Sequence, residues 1–210
     1  MRIKSVDFAG AIAKPGGEPP GALPEIAFAG RSNVGKSSLI NRLLGRTRTN
    51  VARVSRRPGK TREINFYRVR AALAGGAGDI EFFLVDLPGY GYARVPEAVR
   101  ERWADLIEGY LSASPRLRGV VQLVDGRHGL TGTDRTLVRY LAGLGLPVLF
   151  VLTKADKVKR SKRRPTVEEV VEELDVDRDQ VLLFSAKTGE GRETLLESLE
   201  HLLRSAEDEG

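Results

Sequence analysis

The chain has 210 residues, of which 41% are hydrophobic and 30% charged, with 34 Lys and Arg against 28 Asp and Glu. This composition suits one folded domain and excludes a chain that is disordered as a whole. The absence of cysteine excludes disulfides, thiolate zinc sites and thiol nucleophiles. The longest apolar run, Leu144 to Leu152, is far shorter than the roughly 20 residues of a membrane span, and Asp7 interrupts any export signal. We therefore expect a cytoplasmic protein without a membrane partner.

Short apolar runs alternate with amphipathic stretches along the chain. Residues 1–24, rich in Gly and Pro near their end, are predicted to be an irregular lead-in to a single domain at 25–206, with an acidic tail at 207–210. Strands are predicted at 25–29, 64–73, 80–85, 119–124, 147–152 and 180–184, and helices at 36–44, 96–111, 133–142, 166–174 and 191–204. Pro96 and Pro165 are predicted to lie at helix starts. The alternation predicts a three-layer α/β fold with a mostly parallel six-stranded sheet, whose hairpin adds one antiparallel edge strand.

Residues 30–37 follow the pattern G-x-x-x-x-G-K-[ST] after a predicted strand and at the start of a predicted helix. The backbone amides of such a loop bind phosphate oxygens, and the helix N-terminus adds partial positive charge. Lys36 is predicted to reach the β- and γ-phosphates, and the Ser37 hydroxyl to ligate Mg²⁺. The predicted loop residues are Gly30, Arg31, Ser32, Asn33, Val34, Gly35, Lys36, Ser37 and Ser38.

The base is predicted to be guanine. Thr153, Lys154, Ala155 and Asp156 follow a buried strand, and ligands bind at the carboxyl ends of such strands. Asp156 can accept hydrogen bonds from the ring N–H and the amine of guanine, which adenine does not offer. Lys154 can lie along the purine face. Further contacts, including a backbone N–H near the guanine oxygen, are predicted from Phe184, Ser185, Ala186 and Lys187.

Two more segments are suited to contact the phosphate groups of the nucleotide. The returning hairpin strand ends in Asp86, Leu87, Pro88 and Gly89. There Asp86 can contact Mg²⁺ through one of the ion's bound waters, and Gly89 can sense the γ-phosphate. The intervening stretch Arg57, Pro58, Gly59, Lys60 and Thr61 can fold over the phosphates, with a Thr hydroxyl as a second Mg²⁺ ligand. On pattern alone, Thr47 and Thr49 compete with Thr61 for that role.

The ordered set from Gly30 to Lys187 resembles the translation-factor-related GTPases. Within them, residues 30–38, 58–61, 86–93 and 153–156 closely resemble the EngB group, also called YihA or YsxC. This resemblance implies a Ras-like P-loop GTPase fold, GTP and GDP as ligands, and Mg²⁺ held by Ser37, Thr61 and Asp86. It also implies a role in assembling the large ribosomal subunit that is needed for normal division and septation.

The mechanism has one unusual position. Many GTPases orient the attacking water with a Gln directly after the acid-glycine string, but this chain has Tyr90 there, so we expect slow hydrolysis. The resemblance places Asn33 where related GTPases bind K⁺, although Asn also suits the backbone angles of such a loop. The residues predicted to act in hydrolysis are Lys36, Thr61, Gly89 and Asn33.

The positive charge is sorted along the chain. Ten basic residues and one acid lie between Arg42 and Arg70, and seven cations lie between Lys154 and Arg164. Sorted charge is typical of a surface that meets a polyanion. Together with the ribosomal role that the resemblance implies, it makes the large subunit and its rRNA the expected partners. We also expect the protein to be a monomer.

Three alternative functions remain open on the sequence. A P-loop kinase of a small metabolite would share residues 30–37 and could use the cations at 48–62 as a lid. The protein could instead be an RNA-binding module whose nucleotide site is only structural. A membrane-associated division GTPase would need an amphipathic basic helix or a lipidation signal, and the sequence has neither.

Overall fold

The described residues form one seven-stranded sheet with helices on its faces. The computed structural model describes residues 1–45, 63–90 and 97–204, the last range without the side chains of residues 97–100, 102 and 103. The strands are β1 (Arg2–Ile12), β2 (Glu25–Gly30), β3 (Ile64–Ala72), β4 (Asp79–Asp86), β5 (Leu117–Asp125), β6 (Val148–Thr153) and β7 (Val181–Leu183). The helices are α1 (Lys36–Leu43), α2 (Glu97–Ala113), α3 (Gly132–Gly143), α4 (Arg160–Leu174) and α5 (Arg192–Arg204).

The strand order is β1-β3-β4-β2-β5-β6-β7. Strands β4, β2, β5, β6 and β7 pair in parallel, whereas β3 is antiparallel to both β4 and β1. The predicted fold class is confirmed, and the described part of the chain has seven strands, one more than the sequence predicted. Because neighbouring parallel strands end at the same edge, the loops after β2, β4, β5, β6 and β7 meet there.

The additional strand lies in the segment that was predicted to be irregular. That prediction is wrong for residues 2–12, which form β1 along the outer side of β3, whereas residues 13–24 follow without helix or strand. The pairing register shifts between Ile3 and Ser5 and again between Phe8 and Gly10. Each shift changes which face the next side chains occupy, so β1 lacks the regular apolar alternation that would have indicated a strand.

Helix α4 also differs from the prediction. It begins at Arg160, six residues before the predicted start, and Pro165 lies inside it. A proline lacks the backbone N–H that would donate to the carbonyl four residues earlier, here that of Ser161. Both Pro165 and Ser161 are exposed, so water can hydrogen-bond to this carbonyl instead. Pro96 lies outside the described residues.

Apolar side chains cover both faces of the sheet. Ile26 and Phe28 of β2 pack towards α1 and α5, whereas the alternate residues Ala27 and Ala29 pack towards α2 and α3. A third cluster joins β5 and β6 to α4. This alternation gives helix, sheet and helix layers and leaves the carboxyl edge of the sheet open for a site. None of the described helices is long and apolar enough to cross a membrane.

Candidate nucleotide site

The predicted phosphate loop joins β2 to α1. Gly30 ends the strand, where an added Cβ would lie 2.9 Å from Val34 Cγ1 and 3.0 Å from Leu123 Cβ. Gly35 has a φ of 108°, a left-handed conformation that favours glycine. The two fixed glycines of the pattern are therefore required by close packing and by backbone conformation. The first amides of α1 have no partner within the helix, which suits them to bind phosphate.

Lys36 and Asp86 form a buried ion pair in this site. Lys36 Nζ contacts Asp86 Oδ1, and the two residues are 8% and 4% exposed. Lys36 begins α1 and Asp86 ends β4, so the phosphate loop and the hairpin strand bring the predicted phosphate-binding cation and the predicted Mg²⁺-binding carboxylate together. Phosphate oxygens can bind Lys36 in place of Asp86, and Mg²⁺ can bind Asp86 in place of Lys36. The carboxylate and the neighbouring Ser37 hydroxyl are the hard oxygen donors that Mg²⁺ prefers, so the residues present fit the ion.

The chain after Asp86 continues beside the phosphate loop. Leu87 N donates to Phe28 O at 3.1 Å, and Ser32 N donates to Tyr90 O at 2.9 Å. Gly89 lies between these contacts, where an added Cβ would stand 3.4 Å from both Cα and N of Ser32. Asp86, Pro88 and Gly89 therefore follow the loop closely, as a phosphate-sensing segment requires.

The Tyr90 side chain is held by two buried polar residues that the sequence reading missed. Its hydroxyl donates to Asp134 Oδ1 at 2.9 Å and accepts a hydrogen bond from Gln122 Nε2. Burial and the nearby Asp134 carboxylate raise the pKa of Tyr90 well above its ordinary value, so the hydroxyl keeps its proton. The available sequence signal was Gln122 itself, a polar residue inside the apolar strand β5.

The base end of the site begins with Thr153, the last residue of β6. Its Oγ1 donates to Val34 O at 2.7 Å and lies 3.1 Å from Val124 O. Thr153 thus fastens the phosphate loop to the strand that carries the predicted guanine-reading segment.

Lys154 crosses the phosphate loop in a left-handed backbone conformation, with φ 60°. Its Nζ donates to Asn33 O at 2.7 Å and to Asp125 Oδ2 at 2.8 Å. Partial burial opposes ionisation of Asp125, but hydrogen bonds from Arg127 and Lys154 outweigh it and hold the pKa of Asp125 well below its usual range. Asp125, which ends β5 and which sequence reasoning did not select, therefore positions the lysine.

Asp156 is the residue predicted to read guanine. The Ser185 hydroxyl donates to its Oδ1 at 2.7 Å, and this bond lowers the pKa of Asp156, so the group is a carboxylate at neutral pH. Ser185 N donates to Glu190 O at 3.0 Å, so an amide for the guanine oxygen is left to Ala186 or Lys187.

A cavity of about 430 Å³ joins the phosphate loop to the guanine-reading segments. Its lining residues are Gly35, Ser38, Leu39, Thr153, Lys154, Asp156, Lys157, Phe184, Ala186 and Lys187. Eight of these were predicted, while Leu39 and Lys157 were not. The Arg163 guanidinium donates to Ala155 O at 2.8 Å and to Glu190 Oε1 at 2.8 Å, so it joins the segment after β6 to the segment after β7.

Asn33 has a φ of 63° and is exposed. Left-handed geometry is one that Asn tolerates better than most residues, and the exposed side chain is open to a cation from solution. Both interpretations of Asn33 fit this placement, and K⁺ binding stays a prediction.

Part of the predicted site lies outside the described residues. This applies to Arg57, Pro58, Gly59, Lys60 and Thr61, to the competing Thr47 and Thr49, and to residues 91–93 of the motif that follows Gly89.

The two basic blocks differ in the structure. In the first block, Arg68 pairs with Glu81 at 2.5 Å and Arg70 with Asp79 at 2.8 Å, Arg42 donates to Thr188 O, and residues 46–62 lie outside the described part. In the second block, Lys159, Arg160 and Lys162 are exposed. The described cations that are open to a polyanion therefore include those at the start of α4.

This geometry places the chain in the class of P-loop guanine-nucleotide-binding proteins. It combines a phosphate loop between strand and helix, a paired Lys and Asp, and a base pocket with a carboxylate. A family model described as "50S ribosome-binding GTPase" matches residues 25–154, and the "Elongation factor Tu GTP binding domain" matches residues 107–205. A probable GTP-binding protein EngB of Gemmatimonas aurantiaca is 48% identical over 97% of this chain and 95% of its own length. One of Pelotomaculum thermopropionicum is 45% identical over 94% of each chain.

The chain belongs to the EngB family of GTPases, and it binds and hydrolyses GTP. A solved probable GTP-binding protein engB is 29% identical, with a TM-score of 0.66 over 86% of this chain and 99% of that one. Aquifex aeolicus Era bound to GDP and AlF4⁻ is 22% identical, with a TM-score of 0.69 over 85% of this chain and 56% of that one, and shares the fold. Family membership leaves the small-metabolite kinase without support.

Proposed function

We propose that this GTPase is a cytoplasmic, monomeric molecular switch that binds the large ribosomal subunit in its GTP state and assists assembly of that subunit. Normal cell division and septation would then depend on it through the supply of ribosomes. The observation that carries the proposal is the match of residues 25–154 to a family described as 50S ribosome-binding GTPases.

The phosphate chemistry is assigned to residues at the edge of the sheet. Lys36 neutralises charge on the β- and γ-phosphates, and the amides of residues 30–38 hold their oxygens. Mg²⁺, when bound, neutralises phosphate charge, and Ser37, Thr61 and Asp86 are the residues that would hold it. Opening of the Lys36–Asp86 pair frees both groups for this role. Gly89 senses the γ-phosphate.

The base specificity is assigned to Asp156. The carboxylate accepts from the ring N–H and the exocyclic amine of guanine, while Lys154, held by Asp125 and Asn33, lies along the purine. Adenine would leave the partly buried Asp156 carboxylate facing an acceptor, which is costly once the base covers it.

Hydrolysis is expected to be slow without help. Tyr90, in the position where many GTPases have Gln, is bound to Gln122 and Asp134 and so is engaged away from an attacking water. Positive charge from K⁺ at Asn33 would compensate for part of that loss.

The ribosome contact is assigned to exposed cations near the nucleotide. A surface that binds rRNA phosphates beside the guanine pocket couples RNA affinity to nucleotide state, since both ligands stabilise the same arrangement. The rival function is an RNA-binding module in which the nucleotide is only structural, and it predicts binding that does not depend on nucleotide state.

Co-sedimentation with separated ribosomal subunits tests the proposal. The protein is loaded with a non-hydrolysable GTP analogue or with GDP and mixed with large or small subunits at several salt concentrations. We expect tight, salt-sensitive binding to large subunits in the GTP state and weaker binding with GDP. Equal binding in both states would favour the rival function, and binding to small subunits alone would overturn the choice of partner.

A further inference from the structure

The hydrogen bonds of Tyr90 connect the phosphate-sensing segment to two distant elements, β5 and α3. On its backbone side, Tyr90 O accepts from Ser32 N at 2.9 Å and Tyr90 N donates to Gly30 O at 3.4 Å. On its side-chain side, the hydroxyl meets Gln122 of β5 and Asp134 of α3. One residue therefore joins the phosphate loop, the sheet and a helix.

The two partners are themselves fixed. Asp134 is 1% exposed, and its Oδ2 accepts from Thr131 N at 2.9 Å and from Thr131 Oγ1 at 2.5 Å. The second oxygen of the carboxylate is thus tied to the start of α3, and Oδ1 is left for Tyr90. A hydroxyl bound to such a carboxylate has little freedom to move, because both ends of the hydrogen bond are held.

Gln122 is fully buried and depends on Tyr90. Besides Tyr90, its Nε2 has only a long contact of 3.4 Å to Leu123 O, and its Oε1 has no hydrogen-bond partner among the described residues. A buried amide with so few partners is costly, and an apolar residue would suit this place in β5 better. Packing therefore gives no reason for Gln122, whereas holding the Tyr90 hydroxyl does.

We propose that Tyr90 is a positioning residue for GTP hydrolysis, anchored by Gln122 and Asp134 so that Gly89 stays against the phosphate loop where the γ-phosphate arrives. The inference rests on the proposed role of Gly89 as γ-phosphate sensor. Tyr90 touches no reacting atom in this account, since its hydroxyl points towards β5 and α3. Its contribution is to hold the backbone next to Gly89, where an added Cβ would lie 3.4 Å from Cα and N of Ser32.

The test begins with Tyr90→Phe, which keeps the ring and removes the hydroxyl. We expect two quantities to fall: the affinity for a non-hydrolysable GTP analogue relative to that for GDP, and the single-turnover hydrolysis rate. Each should fall about two- to tenfold, which corresponds to the net free energy of one hydrogen bond. GDP affinity should stay within about twofold, because GDP lacks the γ-phosphate. An unchanged ratio and rate would overturn the proposal.

Tyr140→Phe is the matched control. The Tyr140 hydroxyl donates to Glu108 O at 3.1 Å. The variant therefore loses one tyrosine hydrogen bond, and that bond does not involve the phosphate loop. We expect it to leave the affinity ratio and the hydrolysis rate unchanged, and an equal loss in this variant would overturn the proposal.

The double variant Tyr90→Phe/Gln122→Met separates positioning from stability. Replacing the stranded amide with an apolar side chain should raise the melting temperature above that of Tyr90→Phe, while the analogue-to-GDP ratio and the hydrolysis rate stay low. If the ratio and the rate recovered together with the melting temperature, Tyr90 would be merely structural. None of these measurements needs ribosomes, so their failure is distinct from failure of the ribosomal role.

Discussion

The start of helix α4 offers a sharp prediction about RNA binding. Replacing Lys159, Arg160 and Lys162 with Gln removes three exposed cations from a helix whose first turn contains no acid. Each cation that meets an RNA phosphate contributes about 0.7 to 0.9 to the slope of log affinity against log salt. We therefore expect the salt dependence of large-subunit binding to weaken by about 2 to 3, and the affinity at 0.1 M salt to fall about a hundredfold.

The same substitutions should stabilise the protein. Cations at the N-terminus of a helix oppose its macrodipole, at about 0.3 to 1 kcal/mol each, and the last turn of α4 contains no base to compensate. With screening at an exposed site, removing three of them should raise the free energy of unfolding by about 1 kcal/mol, or the melting temperature by about 2 to 4 °C for a chain of this size. Lower affinity together with higher stability cannot be explained by unfolding.

The assay is co-sedimentation of the GTP-analogue complex with large subunits and, separately, with their protein-free RNA, across a salt series. Arg2, Lys14 and Arg139, which are also exposed, are replaced with Gln together as a control with the same change in net charge. If this control lost as much affinity as the α4 variant, or if the α4 variant bound as tightly as the wild type, the start of α4 would not be the RNA-binding surface. A loss confined to intact subunits would instead indicate an acidic protein as the partner.

Two further predictions concern the nucleotide. Asp156→Asn should weaken GTP binding by about 3 to 6 kcal/mol, the value of two hydrogen bonds to a carboxylate, and should gain affinity for xanthine nucleotides, which carry a carbonyl in place of the amine. Titration with fluorescent nucleotides measures both affinities, and an unchanged GTP affinity would contradict the role of Asp156. GTP hydrolysis should be faster in K⁺ than in Na⁺, and Asn33→Ala should abolish that difference; equal rates of the wild type in the two salts would leave Asn33 with a role in backbone conformation alone.

The phosphate loop and the guanine-reading segment could be predicted because their signals are local. Gly30 and Gly35 are needed for close packing and left-handed backbone, and Thr153 to Asp156 directly follow a buried strand. In such segments a short pattern and the element that precedes it carry nearly all the information.

The supporting residues depend on contacts between distant parts of the chain. Asp125 meets Lys154 from 29 residues away, and Gln122 and Asp134 meet Tyr90 from 32 and 44 residues away. No local pattern relates these positions before the sheet order is known. Strand β1 escaped prediction for a different reason, since its two register shifts erase the alternation that identifies strands.

One measurement links the guanine pocket directly to the ribosome contact. Large-subunit binding of Asp156→Asn is compared with that of the wild type, using non-hydrolysable analogues of GTP and of xanthosine triphosphate. We expect the wild type to bind large subunits tightly only with the GTP analogue, and the variant to bind them tightly only with the xanthosine analogue. If the variant bound large subunits equally with either analogue, or with neither while still binding the xanthosine analogue itself, the nucleotide in this pocket would not control the ribosome contact.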